Sequence, residues 1–249
     1  VLGLIGKFLR RGAMEDGVVK ATREGTPQGG PLSPLLANIY LDALDKELEK
    51  RGHAFVRYAD DCNIYVSSRA AAERTMASVT EFIERKLRLT VNATKSGVGR
   101  VWERKFLGFR LTRTLNIAVA GESVERFKRK VRELWRGRQS RTSKQLREAW
   151  MSYLRGWWGY FQLAEERKAI FRLEGWIRRH IRKCYWIRWH SAEGRQRHLR
   201  ELGLTGQQQG IATSSRGAWR IAMSRPLHRA LSIVALRKWG FLMPSDLAT

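Results

Sequence analysis

Two short apolar runs flank an Asp-Asp pair in the first quarter of the chain. The runs are Ala54–Tyr58 and Asn63–Ser67, and the pair is Asp60-Asp61. Apolar runs of this length, separated by a few polar residues, predict a β-hairpin. The hairpin holds two adjacent carboxylates at its tip, and carboxylate oxygens are ligands that Mg²⁺ prefers. Because an Asp-Asp pair is also typical of an ordinary polar turn, the neighbouring segments must decide between these interpretations.

Helices and further extended segments surround this hairpin in the first 120 residues. Apolar residues at three- and four-residue intervals predict helices over Val1–Gly12, Pro31–Gly52 and Arg69–Leu87. Strands are predicted at Leu89–Val91 and Phe106–Leu111, and an extended segment or hairpin before a loop is predicted for Glu15–Thr26. Mixed helices and antiparallel strands make this half α+β.

The second half has a different composition. Residues 121–249 carry a net charge of +18 and nine of the ten tryptophans, whereas residues 1–120 carry +7. Helical periodicity extends over Val124–Arg138, Ser143–Phe161 and Ile170–Trp189, with one more candidate at Leu227–Trp239. We therefore expect three regions, namely 1–120, a helical bundle over 121–190, and a basic C-terminal segment over 191–249 that could bind DNA or RNA.

The overall charge narrows the class of protein. The chain has 249 residues with 48 Lys and Arg against 23 Asp and Glu, and 43% of it is hydrophobic. A folded chain this basic is typical of nucleic-acid binding, because lysine and arginine displace counterions from phosphates. No apolar run reaches membrane-span length and no signal-peptide pattern is present, which predicts a cytoplasmic protein without a membrane partner. Two cysteines, Cys62 and Cys184, make neither a disulfide framework nor a zinc site.

Three further motifs accompany the hairpin. Gln28-Gly29-Gly30 lies upstream, in a segment whose glycines let a nucleotide approach the backbone closely. Asn92-Ala93-Thr94-Lys95-Ser96 and Phe106-Leu107-Gly108-Phe109 lie downstream. In this order and spacing, together with Tyr58-Ala59-Asp60-Asp61, they resemble the reverse transcriptases encoded by group II introns. The resemblance continues through 153–161 and 173–179, which look like the maturase (thumb) region of that family.

The resemblance implies a fold and an activity. The fold is a partial polymerase palm followed by an α-helical thumb/maturase bundle. The activity is RNA-directed DNA polymerisation with two Mg²⁺ ions, combined with binding of intron RNA to promote splicing and mobility. The implied partners are intron RNA, an RNA template with a DNA primer, deoxynucleoside triphosphates and target DNA.

The resemblance also assigns roles to individual residues. Asp60 and Asp61 are implied to be catalytic and to bind the metal. The implied nucleotide- and template-binding residues are Gln28, Gly29, Gly30, Tyr58 and Lys95. The implied primer grip is Phe106, Leu107, Gly108 and Phe109.

Basic side chains crowd two helices of the second half, and few acids are present to pair with them. These candidates for RNA contact are Arg126, Lys128, Arg129, Lys130, Arg132, Arg178, Arg179, Arg182 and Lys183. Guanidinium groups bind phosphates in a fork geometry and also stack on bases. The tryptophans among them are predicted to lie mainly in the core, because tryptophan at helical spacing usually packs.

One departure from the family leaves an alternative open. The family carries a third palm carboxylate before the Pro-Gln-Gly-Gly motif, and neither Glu15 nor Asp16 lies in a matching strand. We therefore expect the third metal ligand to lie outside this chain, and the chain alone to synthesise DNA weakly or not at all. The alternative is a non-catalytic RNA-binding maturase that assists splicing; a related bacterial reverse transcriptase with another role is the runner-up family.

Overall fold

The chain divides into two compact units, Val1–Arg100 and Val101–Thr249. The computed structural model describes residues 2–10, 13–15, 18–20, 32–137 and 140–248, with side chains from residue 3 to 7 and throughout the last two ranges. Each unit is considered by itself. Small antiparallel sheets combined with many helices confirm the predicted α+β class.

The described part of the first unit holds three helices and two hairpins. The helices are α1 (Leu2–Arg10), α2 (Ser33–Lys50) and α3 (Arg69–Arg85). Strands β1 (Ala13–Glu15) and β2 (Val18–Lys20) form one antiparallel hairpin, and β3 (Ala54–Tyr58) and β4 (Asp61–Tyr65) form the other. The predicted hairpin around the Asp-Asp pair is thereby confirmed.

Local sequence signals explain how these helices start. Pro34 occupies the first turn of α2, where a missing backbone N–H has no cost. The Ser68 hydroxyl accepts a hydrogen bond from the Ala71 amide at 3.2 Å and caps α3. Leu44 and Leu48 of α2 and Val79 of α3 are buried together, and Phe55 packs against them from β3. One face of the β3–β4 hairpin therefore lies on the two helices.

The strand predicted at Leu89–Val91 is wrong. The chain turns back at the end of α3, where the Leu89 amide donates to the Ile83 carbonyl at 3.2 Å. The Tyr40 hydroxyl donates to the Leu87 carbonyl at 2.6 Å and fixes the same segment to α2. These backbone groups form hydrogen bonds at the helix end and are therefore not available to pair with another strand.

The second unit begins with a three-stranded antiparallel sheet. Its strands are β5 (Lys105–Phe106), β6 (Phe109–Leu111) and β7 (Ile117–Val119), in that order. The single strand predicted over Phe106–Leu111 is broken, because Leu107 and Gly108 form a two-residue turn with φ of +51° and +78°. Two successive residues of positive φ match the twist of a tight hairpin turn.

Helices make up most of the rest of this unit. The longer ones are α4 (Gly121–Leu134), α5 (Ser143–Phe161), α7 (Leu173–Arg188) and α8 (Ala192–Glu201), and the four-residue helix α6 (Lys168–Phe171) lies between α5 and α7 in the sequence. Short helices follow as α9 (Gly206–Gln209), α10 (Ala218–Ile221), α11 (Arg225–Ala230) and α12 (Ile233–Lys238). The single helix predicted at Leu227–Trp239 is thus two helices, because Ser232 caps a new one by accepting from the Ala235 amide at 3.2 Å.

Aromatic side chains fill the core of the helical unit. Trp135, Trp150 and Trp186 are almost completely buried, which agrees with the packing role predicted for most of the tryptophans. Leu199, Leu227, Leu236 and Met243 enter the same core from the C-terminal segment. The Trp150 indole N–H donates to the Leu242 carbonyl at 2.9 Å, so residues beyond 190 share a core with α4, α5 and α7.

None of the helices in the described ranges is long and apolar enough to cross a membrane.

Candidate active site

The two carboxylates of the β3–β4 hairpin belong to different parts of it, one to the turn and one to a strand. Tyr58 pairs with Asp61, so Ala59 and Asp60 form the connecting turn and Asp61 is the first residue of β4. Both aspartates are exposed. Ala59 has φ of +53°, a left-handed conformation that costs about 1–2 kcal/mol for a residue with a Cβ. The surrounding structure must therefore hold the turn in place.

Arg57 is the side chain that holds this turn. Its Nε donates to Asp45 Oδ1 of α2 at 2.7 Å, and its second terminal nitrogen is paired with Asp45 Oδ2. The remaining nitrogen, Nη1, donates to the Ala59 carbonyl at 2.8 Å and to Asn38 Oδ1 at 3.0 Å. One guanidinium thus connects α2 to the strained residue of the turn, and the hydrogen bond to Asp45 raises the pKa of Arg57.

Among the described residues, the carboxylates of Asp60 and Asp61 have no cationic partner. In the described part of the chain, neither accepts a hydrogen bond or forms an ion pair, although the protein carries a net charge of +25. The nearest basic residue in sequence, Arg57, is committed to Asp45 instead. Two adjacent carboxylates with free oxygens repel each other, and a divalent cation removes that repulsion.

The donor set fits Mg²⁺ better than a metal held entirely by protein ligands. Among the described residues, no three His, Cys, Asp or Glu side chains converge on one point. Mg²⁺ is usually bound through one or two carboxylates, with water and substrate phosphates completing its octahedron. A pair of exposed carboxylates on a tight turn satisfies that description.

The other predicted nucleotide-binding residues have separate positions. Tyr58 precedes the turn and its side chain is 64% exposed. Lys95 is exposed on a turn built by Asn92, whose Oδ1 accepts from the Thr94 and Lys95 amides at 3.1 and 3.2 Å. The Asn-x-x-Lys-Ser motif therefore forms a turn on which the lysine side chain is exposed to solvent. Gln28, Gly29 and Gly30 lie outside the described residues.

The predicted primer-grip residues form the β5–β6 turn of the second unit. The Leu107 carbonyl accepts from the Tyr160 hydroxyl at 2.9 Å, and the Gly108 carbonyl accepts from the Ser123 hydroxyl at 3.1 Å. The Phe109 ring stacks on Tyr160 with centroids 5.6 Å apart. Helices α4 and α5 thus each hold one carbonyl of this turn.

The basic residues proposed for RNA contact differ in their surroundings. Arg126 and Arg129 are exposed on α4, whereas Lys128 and Lys130 are partly covered and paired with glutamates three residues away. Arg132 and Arg179 lie over the rings of Trp176 and Trp219, respectively. Arg178 faces Glu174 at 3.6 Å, and burial lowers the pKa of Lys183.

Arg182 is the exception within this set, because only 4% of it is exposed. Its Nε donates to the Leu231 carbonyl at 3.0 Å, and its Nη1 lies 3.1 Å from His228 Nε2. Burial lowers the pKa of Arg182 to about 10. The guanidinium is thus used inside the protein, between α7 and the C-terminal segment, and the expectation that it contacts RNA does not fit its position.

Sequence reasoning missed the side chains that hold the two turns. Asp45 and Arg57 support the carboxylate hairpin, and Ser123 and Tyr160 support the β5–β6 turn. A signal existed for Arg57, since a charged residue at an inward-facing strand position needs a buried partner. The pattern could not name Asp45 as that partner, because the pairing depends on how α2 packs on the hairpin.

Comparison with known proteins agrees with these features. Residues 3–111 match the family of reverse transcriptases (RNA-dependent DNA polymerases). Residues 124–203 match the maturase-specific domain of group II introns. The two matches are consecutive and together cover about three quarters of the chain.

Two curated relatives share parts of the sequence. The group II intron-encoded protein LtrA of Lactococcus lactis subsp. cremoris is 63% identical over 43 residues, which are 17% of this chain and 7% of that protein. Protein YkfC of Escherichia coli is 29% identical over a region covering 44% of this chain and 38% of that protein. The aligned regions thus span well under half the length of either relative.

The order of these two domains defines the class. A reverse transcriptase domain followed directly by a group II intron maturase domain is the arrangement predicted from the motifs. The chain belongs to the group II intron reverse transcriptases/maturases.

Proposed function

We propose that this chain is the palm and thumb/maturase part of an RNA-directed DNA polymerase that acts in the cytoplasm on group II intron RNA. The observation that carries the proposal is the Asp60-Asp61 pair, which has no partner among the described residues, on a turn held by Arg57. Two adjacent exposed carboxylates repel each other, and their oxygens are ligands that a divalent cation prefers. A divalent ion at this position suits phosphoryl transfer.

The proposed roles within the palm come from the family resemblance, and for Asp60, Asp61, Tyr58 and Lys95 their exposure supports them. Asp60 and Asp61 hold Mg²⁺, which when bound stabilises the charge that develops on the phosphoryl group. Lys95 lies near the leaving pyrophosphate and neutralises it, a role that an exposed lysine on a rigid turn can fill. Tyr58 and the Gln28-Gly29-Gly30 segment contact the incoming deoxynucleotide and the template base.

The proposed roles of the second unit are binding roles. The turn at Phe106–Phe109 contacts the primer, and its rigidity comes from Ser123 and Tyr160. Arg126 and Arg129, with the other basic side chains of α4 and α7 except Arg182, bind phosphates of intron RNA. The proposed domain limits remain 1–120, 121–190 and 191–249, and the last of these contributes to target DNA or RNA binding.

The polymerase proposal is tested by primer extension on an RNA template. The natural protein is expressed with any coding sequence that flanks these residues in its gene, and synthesis is measured with Mg²⁺. Asp60→Ala should lower the rate at least about 100-fold, since the variant loses a metal ligand. Asp42→Ala is the matched control, because Asp42 is an exposed aspartate of α2 that pairs with Lys46. Synthesis by Asp60→Ala at the wild-type rate would contradict the proposal.

The RNA-binding proposal needs a separate measurement. Affinity for intron RNA should fall steeply between about 50 and 200 mM salt, because several phosphate contacts release counterions. A salt-dependent affinity that Asp60→Ala leaves unchanged, without synthesis by the wild type, would favour the non-catalytic maturase alternative. A flat salt response would contradict phosphate-mediated binding.

A further inference from the structure

A polar cavity lies between the end of α7, the start of α8 and the segment before α10. Its volume is about 580 Å³, and its polar lining comes from His190, Arg195, Ser214, Ser215 and Arg216. None of the side chains that line it is acidic. The motifs discussed above do not include any of these residues.

Arg195 is held in a fixed orientation at this cavity. Its guanidinium lies 4.6 Å from the centre of the buried Trp186 ring, a cation–π contact that positions the charge. The Arg195 Nε–H is buried and has no acceptor within the described part of the chain. Because solvent does not reach this Nε although Arg195 lines the cavity, the terminal guanidinium nitrogens are the donors available to a ligand there.

The second arginine reaches the same cavity on a short turn. The Ser214 hydroxyl accepts from the Arg216 amide at 3.3 Å and shapes that turn. In the described ranges, neither Arg195 nor Arg216 forms an ion pair with an acid. Two arginines without counter-charges and two serine hydroxyls thus line one space. This combination favours an oxyanion, because guanidinium groups bind phosphate oxygens in a fork geometry.

We propose that the cavity between α7, α8 and α10 is a phosphate-binding site in which Arg195 and Arg216 hold the oxyanion and Ser214 and Ser215 donate additional hydrogen bonds. The phosphate is either part of a nucleic-acid backbone or a free anion. The backbone source rests on the proposed RNA binding, whereas binding of the anion itself does not. The site therefore stands or falls independently of polymerase activity.

The test uses inorganic phosphate as the probe and NMR of the Arg195 Nε–H group as the readout. Phosphate is titrated into the 249-residue chain at constant ionic strength, with chloride as the reference anion. The Arg195 Nε–H signal should shift in a saturable manner, because phosphate binds the guanidinium group to which this N–H belongs. Arg216→Gln should weaken phosphate binding about tenfold, which corresponds to one charge-assisted hydrogen bond.

Two further variants keep the test decisive. Arg195→Lys retains the charge but loses the planar fork, and it should also weaken phosphate binding. Arg220→Gln is the matched control: it removes an exposed arginine of α10 that does not line the cavity, and it should leave phosphate binding unchanged. The proposal is wrong if phosphate produces no saturable shift, or if Arg220→Gln weakens binding as much as Arg216→Gln.

Competition with RNA identifies the source of the phosphate. Displacement of bound phosphate by saturating RNA would assign the site to a backbone phosphate. Retention of phosphate in the presence of bound RNA would assign it to a free anion. Both results require the site, and neither depends on DNA synthesis.

Discussion

Arg57 binds Asp45 through both carboxylate oxygens, and the same guanidinium also holds the carbonyl of Ala59. The pair joins α2 to the one residue of the carboxylate turn that has a left-handed backbone. Only 11% of the Arg57 side chain and 25% of the Asp45 side chain are exposed, so water screens the pair weakly. The position of Asp60 therefore depends on an ion pair that lies outside the Tyr-Ala-Asp-Asp motif.

Asp45→Asn should loosen the hairpin without unfolding the chain. Arg57 would keep one hydrogen bond in place of a bidentate pair, and we expect a loss of about 1–3 kcal/mol in the local stability of the hairpin. Hydrogen exchange measured by mass spectrometry on peptides covering 54–65 reports this directly, because exchange follows local opening.

The matched control for this variant lies on the same helix. Glu47→Gln removes the carboxylate that pairs with Arg51, whose Nε lies 2.8 Å from Glu47 Oε1. Such pairs on a helix surface contribute about 0.5 kcal/mol or less to stability. Equal exchange rates over 54–65 in Asp45→Asn and Glu47→Gln would show that Arg57 does not hold the turn.

Gly108→Ala should destabilise the second unit. Gly108 has φ of +78°, and an added Cβ would lie 3.0 Å from the Ser123 hydroxyl oxygen and 3.3 Å from the Phe161 ring. Strain and crowding together predict a loss of about 1–3 kcal/mol. Urea unfolding followed by tryptophan fluorescence is suitable, because all ten tryptophans lie in this unit.

Gly156→Ala should stabilise the second unit in the same assay, the opposite of the effect expected for Gly108→Ala. Gly156 lies within α5 and an added Cβ would have no atom within 4 Å. Alanine should therefore stabilise the helix by about 0.5–1 kcal/mol. A stabilising Gly108→Ala would mean that the β5–β6 turn is not constrained as described.

His180 should make the stability of the second unit depend on pH. Its ring is buried between Trp176 and Trp219, with centroids 4.3 and 4.7 Å away, and burial lowers the pKa of His180 to about 4. Lys183, Arg132 and Arg179 lower this pKa further. Because the folded protein binds this proton less readily than the unfolded chain, His180 leaves stability unaffected above about pH 6.5 and reduces it as the pH falls toward 4.

The variant His180→Phe isolates this contribution. Acidification from pH 7 to 4 should cost the wild type up to about 3 kcal/mol more than it costs His180→Phe. His190→Gln, which changes an exposed histidine, should follow the wild type. Parallel pH profiles of wild type and His180→Phe in thermal unfolding would contradict the buried neutral histidine.

The local sequence pattern is sufficient to predict a helix or hairpin that depends only on residues close together in the sequence. The two apolar runs that flank Asp60-Asp61 predict the hairpin, and three- and four-residue spacing predicts α2, α3 and α5, because these signals depend on neighbours in sequence. The break at Leu107-Gly108 was missed, since the apolar run continues on both sides of the turn. What stabilises the break is Ser123 and Tyr160, which come from distant helices.

The site shows the same division between local and tertiary information. The motifs indicated Asp60, Asp61 and Lys95, and the exposure of all three agrees with a site open to ligands. The different environment of Arg182 could not be predicted, because its neighbours in α7 have the same composition. Its burial results from the C-terminal segment, whose Leu231 carbonyl and His228 ring bind the guanidinium.

The most direct test of metal binding by the hairpin is a change of metal preference at residue 60. In primer extension by the natural protein, Asp60→Cys replaces a hard oxygen ligand by a soft sulfur, which binds Mg²⁺ poorly and Mn²⁺ better. We predict at least about a 100-fold loss of synthesis with Mg²⁺ and a partial recovery with Mn²⁺. Synthesis by Asp60→Cys with Mg²⁺ at the wild-type rate would contradict the assignment of Asp60 as a metal ligand.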